Sequence, residues 1–143
     1  MKPIGVVVHG ASGKMGQEVI KAVSREPDMQ IVGAVEQKTT EDTLALPGGS
    51  GRVPFSSDID KILSGTKPDV MVDFSLAAAT KAAVPAAAKR GVNLVIGTTG
   101  FTPADMEEMA RLAKQYKIGI VVAANFALGA VLMMHLSKIA AKY

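Results

Sequence analysis

Three glycines near the start of the chain have a spacing that could bind phosphate. Gly10, Gly13 and Gly16 directly follow an apolar run and open a segment with helical periodicity. In such a turn the first glycine permits the bend, the second lets backbone amides approach a pyrophosphate, and the third lets the helix pack closely on the strand. The helix N-terminus adds a positive dipole end. The spacing therefore predicts a dinucleotide-binding turn, against the alternative of a glycine turn that serves packing alone.

An acidic residue at the end of the second predicted strand supports this prediction. Glu36 lies 20 residues beyond Gly16, where a carboxylate can bind the ribose hydroxyls of an NAD-type adenosine. A carboxylate repels a 2′-phosphate and so favours NAD, whereas Lys38 could pair with that phosphate or be an ordinary exposed lysine. We therefore expect the cofactor to be NADH, NADPH or both.

The elements that must position these residues alternate along the chain. Short apolar runs predict five strands, and amphipathic or alanine-rich segments predict the helices between them. The predicted strands are 4–8, 31–35, 70–74, 92–96 and 118–123, and the predicted helices are 14–25, 57–63, 76–90, 102–116 and 128–142. This alternation predicts an α/β fold, a Rossmann-type doubly wound parallel sheet of five strands, with ligands at the carboxyl ends of the strands. Residues 37–56 are predicted to be a loop, and Pro85 is expected to kink or split its helix.

Composition and charge exclude several other classes of protein. Aromatic residues are only 4% of the chain, so the core must be aliphatic, as in parallel strands covered by helices. The chain has no cysteine, which excludes disulfides and thiolate metal sites, and we expect no metal. The net charge of +3 forms no basic stripe, so nucleic acid is not an expected partner. Without a signal peptide or an apolar run of the ~20 residues that span a membrane, we expect a cytoplasmic protein.

Three further segments, together with the glycine turn, resemble one known family. They are Asp73-Phe74-Ser75 after the third predicted strand, Gly97-Thr98-Thr99-Gly100 after the fourth, and Ala123-Ala124-Asn125-Phe126 after the fifth. In this order and spacing they resemble the N-terminal domain of dihydrodipicolinate reductase (4-hydroxy-tetrahydrodipicolinate reductase), a family of bacterial lysine and diaminopimelate biosynthesis. The resemblance covers essentially the whole chain, whereas the glycine turn alone would fit many dehydrogenases.

The resemblance implies roles for particular residues. The pyrophosphate of NADH or NADPH would be held by Gly10, Ala11, Ser12, Gly13, Lys14 and Met15, and the adenosine ribose by Glu36. The nicotinamide end would be lined by Gly97, Thr98 and Thr99 and closed by the hinge segment Ala123, Ala124, Asn125 and Phe126. Many relatives have a basic residue directly after the acid, and its replacement by Gln37 here argues against a strong preference for NADP. Relatives also commonly have a proline where this chain has Ala124.

The resemblance also implies what the whole enzyme does. Hydride from the cofactor would reduce 4-hydroxy-tetrahydrodipicolinate (dihydrodipicolinate) to tetrahydrodipicolinate in a cytoplasmic homotetramer. In the family a second domain carries a Glu-X-His-His-X-X-Lys segment that binds the dicarboxylate and supplies the proton. That segment does not occur here, so no catalytic residue is assigned and we expect cofactor binding with negligible turnover. We expect a Rossmann domain over 1–126, and over 127–143 a hinge and first helix leading toward a substrate and tetramerisation domain.

Four other polar residues are expected to have structural roles, and the last helix is expected to contact a partner. His9 is expected to be a partly buried turn residue bonded to backbone, and His135 to have no catalytic role. Asp73 and Asn125 are expected to bond nearby backbone. The last helix is apolar around much of its circumference, so we expect a partner surface on it. Two alternative functions stay open, a non-catalytic NAD(P)-sensing module and the cofactor domain of another Rossmann dehydrogenase.

Overall fold

A seven-stranded sheet forms the centre of the molecule, as seen in a computed structural model that describes residues 2–143. The strands are β1 (Ile4–His9), β2 (Met29–Val35), β3 (Thr43–Ala45), β4 (Arg52–Ser56), β5 (Val70–Asp73), β6 (Asn93–Ile96) and β7 (Ile120–Val122). They lie in the order β3-β4-β2-β1-β5-β6-β7, and every neighbouring pair is parallel except β3 and β4. The predicted doubly wound parallel sheet is confirmed.

Helices cover both faces of this sheet. They are α1 (Lys14–Val23), α2 (Ile59–Thr66), α3 (Ala77–Lys89) and α4 (Pro103–Tyr116). A fifth helix, α5 (Leu128–Ala140), follows β7 and has no buried residue. Because side chains alternate along a strand, β1 sends Val7 into one apolar cluster with α2, α3 and α4, and Val6 and Val8 into another with α1. No helix within residues 2–143 combines the length and the apolar character that a membrane crossing needs.

Side chains cap the N-termini of two helices, α2 and α4. At α2 the Asp58 carboxylate accepts a hydrogen bond from the Lys61 amide at 3.0 Å. At α4, Thr102 and Asp105 cap each other's backbone amides, in the reciprocal arrangement that stabilises helix N-termini.

The prediction of one loop over residues 37–56 is wrong. This stretch holds β3, a 3₁₀ turn over Pro47–Gly49 and β4, which raises the number of strands from five to seven. In β4 only Val53 and Phe55 are buried, and they alternate with exposed Arg52 and Pro54. Two apolar positions beside a proline give too weak a period for a strand to be predicted, and the pairing of β4 with β2 is non-local.

Pro85 does not split its helix, so the expectation of a split was wrong. The helix α3 is continuous over Ala77–Lys89. Proline removes the hydrogen bond to the carbonyl four residues earlier, which here belongs to the exposed Lys81. The lost bond therefore belongs to a solvent-exposed residue, and the helix continues through the proline.

Candidate functional site

The glycine turn connects the end of β1 to the start of α1. Gly10 has a left-handed φ of 79°, and its amide donates to the Val35 carbonyl of β2 at 3.0 Å. Gly13 is the N-cap of α1, and no side chain caps this helix. Within residues 2–143 the amides of Lys14, Met15 and Gly16 have no hydrogen-bond acceptor. An uncapped helix N-terminus of this kind presents N–H donors to an anion.

The three glycines of the turn are required for different physical reasons. A β-carbon on Gly16 would lie 2.1 Å from the Gly10 carbonyl oxygen, and one on Gly10 would lie 2.6 Å from the Phe74 carbonyl oxygen. These two glycines permit close packing of the backbone. At Gly13 the nearest atom would be 3.3 Å away, and this exposed residue lines an open cleft. Packing therefore constrains Gly13 less tightly than Gly10 and Gly16, and Gly13 also borders the cleft.

Glu36 lies at the end of β2 and contacts the turn directly. One carboxylate oxygen, Oε2, accepts a hydrogen bond from the Ser12 amide at 2.9 Å, and Oε1 accepts from the Gln37 amide at 2.9 Å. Ser12 and Glu36 are 24 positions apart in the sequence, and the parallel pairing of β1 with β2 brings them together. Glu36 is therefore held where its carboxylate reaches both the turn and the cleft.

The cleft lies at the carboxyl ends of β1, β2 and β5. It is lined by His9, Gly10, Gly13, Glu36, Gln37, Phe74, Ser75, Leu76 and Ala79. The chain runs outward from β1 to β2 and β4, then returns to the other side of β1 as β5. Such a reversal in strand order is where doubly wound sheets bind their ligands. A second cleft adjoins it beyond Glu36, lined by Ser12, Gln37, Lys38, Thr39, Thr40, Glu41, Phe55 and Ser57.

A buried carboxylate connects the strand ends beneath the first cleft. Asp73 is fully buried, and its Oδ2 accepts a hydrogen bond from Nδ1 of His9 at 2.8 Å. Its Oδ1 accepts from the Thr98 and Ser75 hydroxyls at 2.8 Å, from the Ser75 amide at 2.9 Å and from the Thr80 hydroxyl at 3.0 Å. Burial alone would raise the pKa of Asp73, but the interactions with His9, Ser75 and Thr98 outweigh it and lower the pKa below its usual value.

This network corrects two expectations from the sequence. His9 is bonded to the Asp73 side chain rather than to backbone, and it is buried, with only 6% of its surface exposed. Asp73 bonds one backbone amide, as expected, but four side-chain groups as well. The signal in the sequence was that His9 and Asp73 each end an apolar run, since the parallel register of β1 and β5 pairs them.

The residues expected at the nicotinamide end lie at the carboxyl ends of β6 and β7. Thr98 is buried on Asp73, whereas Thr99 is exposed. The Phe74 ring lies so close to Gly97 that a β-carbon there would be 2.0 Å from it. Phe126 meets the same ring edge to face, with 5.8 Å between centroids and 66° between planes.

The hinge segment is thereby placed beside the Gly97–Thr99 segment. The Ala123 amide donates to the Ile96 carbonyl at 3.0 Å, which fixes the start of the segment expected to be a hinge. Asn125 is exposed and its side chain has no hydrogen-bond partner within residues 2–143, so the predicted bonds to backbone are absent. His135 lies on α5, outside both clefts.

The fold and the turn define a Rossmann-type nucleotide-binding domain. Residues 4–126 match the family model described as dihydrodipicolinate reductase, N-terminus. The chain therefore belongs to the dihydrodipicolinate reductase family and corresponds to its N-terminal part.

Named relatives agree with this assignment. The chain is 55% identical over 143 residues to a 4-hydroxy-tetrahydrodipicolinate reductase of Dehalococcoides mccartyi (strain BAV1), covering 100% of this chain and 54% of that relative. It is 41% identical over 141 residues to one from Bacillus velezensis, covering 98% and 53%. The chain thus spans about half the length of the curated relatives it matches.

Solved structures agree at the level of the fold. A dipicolinate-bound dihydrodipicolinate reductase from Paenisporosarcina sp. TG-14 superposes with a TM-score of 0.83 at 34% identity, covering 99% of this chain and 54% of that one. A homoserine dehydrogenase of S. aureus superposes with a TM-score of 0.72 at 16% identity, covering 87% and 33%. The second likeness shows only a shared fold.

Proposed function

We propose that this chain is the cofactor-binding half of a reductase that uses NADH or NADPH to reduce 4-hydroxy-tetrahydrodipicolinate to tetrahydrodipicolinate. The observation that carries the proposal is the uncapped N-terminus of α1 beside Gly13, which opens to the cleft that Glu36 borders. The substrate and reaction are those of the relatives that carry the reductase name. Membership in this family also favours a reductase over the sensing module and the other dehydrogenases.

The residues of the turn fit a dinucleotide. The three free amides at the start of α1 would bind the pyrophosphate, and the helix dipole would stabilise its charge. Ala11 and Ser12 continue the turn toward Glu36, whose carboxylate would accept hydrogen bonds from the adenosine ribose. When bound, the cofactor would supply the hydride, while the protein would orient it and exclude water.

At the nicotinamide end, Thr98 and Thr99 would have separate tasks. Because the Thr98 hydroxyl donates to buried Asp73, it fixes the backbone of the segment after β6. Thr99 is exposed, so its hydroxyl is the one available to a carboxamide or a substrate carboxylate. Phe126, packed on Phe74, would hold the hinge segment Ala123–Phe126 against this end of the site.

A complementary domain would supply the chemistry that this chain lacks. None of the residues of α5 is buried, although the helix carries Leu128, Val131, Leu132, Met133, Met134, Leu136 and Ile139. An apolar surface of this kind is normally covered by protein. We propose that a substrate-binding and tetramerisation domain covers it in a cytoplasmic homotetramer, and that this chain alone turns over negligibly.

Titration calorimetry of the Glu36→Ala variant tests the adenosine side of the site. We expect NADH affinity to fall about tenfold, the loss of roughly one charge-assisted hydrogen bond. NADPH affinity should fall less, because the variant also removes repulsion of the 2′-phosphate, and Lys38 lines the adjoining cleft with several hydroxyls. Glu107→Ala, at an exposed position of α4, is the matched control and should bind both nucleotides like the wild type. Unchanged NADH affinity in Glu36→Ala would contradict the assignment.

A further inference from the structure

His9 has one ring nitrogen bonded inside the protein and the other open to the cleft. Nδ1 is 2.8 Å from Oδ2 of Asp73. Nε2 has no hydrogen-bond partner among residues 2–143. Every buried side-chain nitrogen or oxygen in these residues does have a partner, so Nε2 is not among the buried atoms. Nε2 must therefore reach the surface, and the surface that His9 lines is the dinucleotide cleft, next to Gly10 and Gly13. The imidazole is thus buried except at the atom that can contact a ligand.

The Asp73 carboxylate determines what Nε2 can offer. With five hydrogen-bond donors around it, Asp73 is held as an anion, so it accepts the Nδ1 proton of His9. In the neutral ring Nε2 is then an acceptor only, whereas in the imidazolium it is a donor. A phosphate oxygen needs a donor, so a phosphate at this position favours the protonated ring.

The charged groups around His9 also favour the protonated ring when a phosphate is bound. Asp73 lies beneath it on β5, and Glu36 at the end of β2 is the other titratable side chain that lines the cleft. Lys14, at the first position of α1, is exposed and does not line it. The α3 residues that line the cleft carry no charge. A pyrophosphate arriving here adds negative charge to a site with two carboxylates and one imidazole, which favours proton uptake by the imidazole.

We propose that His9 is an anion-binding residue of the dinucleotide site. As an imidazolium held by Asp73, it donates a hydrogen bond from Nε2 to an oxygen of the phosphate bridge, and binding transfers one proton from solvent to His9. Because binding is coupled to uptake of a proton, affinity for the dinucleotide rises as the pH falls. This inference rests on the proposed dinucleotide-binding function.

The test is the dissociation constant of NAD⁺ for the whole 143-residue chain between about pH 8 and about pH 6. NAD⁺ is the suitable probe because it lacks the 2′-phosphate, which itself titrates in this range. We expect the affinity to rise about tenfold toward the lower pH in the wild type. His9→Gln should lose this dependence. His135→Gln removes the only other histidine of the chain, on exposed α5, and should behave like the wild type.

A second measurement uses the wild type alone, so it does not depend on folding of a variant. The NMR titration of the His9 imidazole should shift to a higher midpoint when NAD⁺ is present. Binding of NAD⁺ with the same affinity at every pH, with an unmoved His9 midpoint, would overturn this proposal and leave the dinucleotide function standing. A slope retained in His9→Gln would also overturn it. No binding of NAD⁺ at any pH would overturn the proposed function and this inference together.

Discussion

Replacing Gly16 by alanine should destabilise the chain by about 3 kcal/mol and abolish NADH binding. The added β-carbon would lie 2.1 Å from the carbonyl oxygen of Gly10 and 2.9 Å from the α-carbon of Ala11. Both neighbours are backbone atoms, and Gly10 and Ala11 are anchored by hydrogen bonds to β2. The start of α1 can move away only by losing contact with β1, so no inexpensive relaxation exists. Urea denaturation followed by circular dichroism measures the change.

Two other glycines provide matched controls for this variant. Gly65 in α2 has no atom within 4 Å of its would-be β-carbon, so Gly65→Ala should stabilise the helix by about 0.5–1 kcal/mol. Gly13→Ala should be destabilised less than Gly16→Ala but lose NADH affinity, since its β-carbon would lie 3.3 Å from the Gly10 carbonyl oxygen and it lines the cleft. Equal stabilities for Gly16→Ala and Gly65→Ala would refute the packing argument.

The second large effect is expected at Asp73. Asp73→Ala should cost about 3 kcal/mol at neutral pH, because it leaves the donors of His9 and Thr98 without their acceptor in a buried site. The pKa of Asp73 is lowered in the folded state. Its ionised form therefore stabilises the fold fully above the unfolded pKa of about 4, and this contribution is lost as the pH falls through the lower folded pKa.

The pH dependence separates this role from simple loss of packing. Unfolding free energies of wild type and Asp73→Ala should differ most above about pH 5 and converge in stronger acid. Asp60→Ala is the control, since the exposed Asp60 only pairs with Arg90 at 2.7 Å and should cost less than about 1 kcal/mol. A deficit for Asp73→Ala that is no larger than that of Asp60→Ala would show that the network contributes little.

The parallel core and the glycine turn were predictable because each depends on a local signal. The strand β1 begins with an apolar run over residues 4–8, as expected for a strand buried on both faces. The turn needs only three glycines and the helix that follows. By contrast, β4 exposes alternate residues and carries Pro54, so its identity depends on pairing with β2, which lies 20 or more residues earlier.

The polar network was not predictable because it depends on strand order. The residues His9 and Asp73 are 64 positions apart, and they meet only because β5, rather than β6, lies beside β1. Thr98 joins them because β6 is the next strand along. Sequence patterns show that each strand exists, but they do not show which strands are neighbours.

In the proposed complex a dinucleotide lies over the carboxyl ends of β1, β2, β5 and β6. The most direct test is an NMR titration of the ¹⁵N-labelled chain with NADH, following the backbone amides. The largest shifts should fall on residues 10–16, on Glu36 and on residues 97–99. Amides near Lys67 and Asn93, at the opposite edge of the sheet, should stay unchanged. No shifts at saturating NADH, or shifts centred on that opposite edge, would contradict the account.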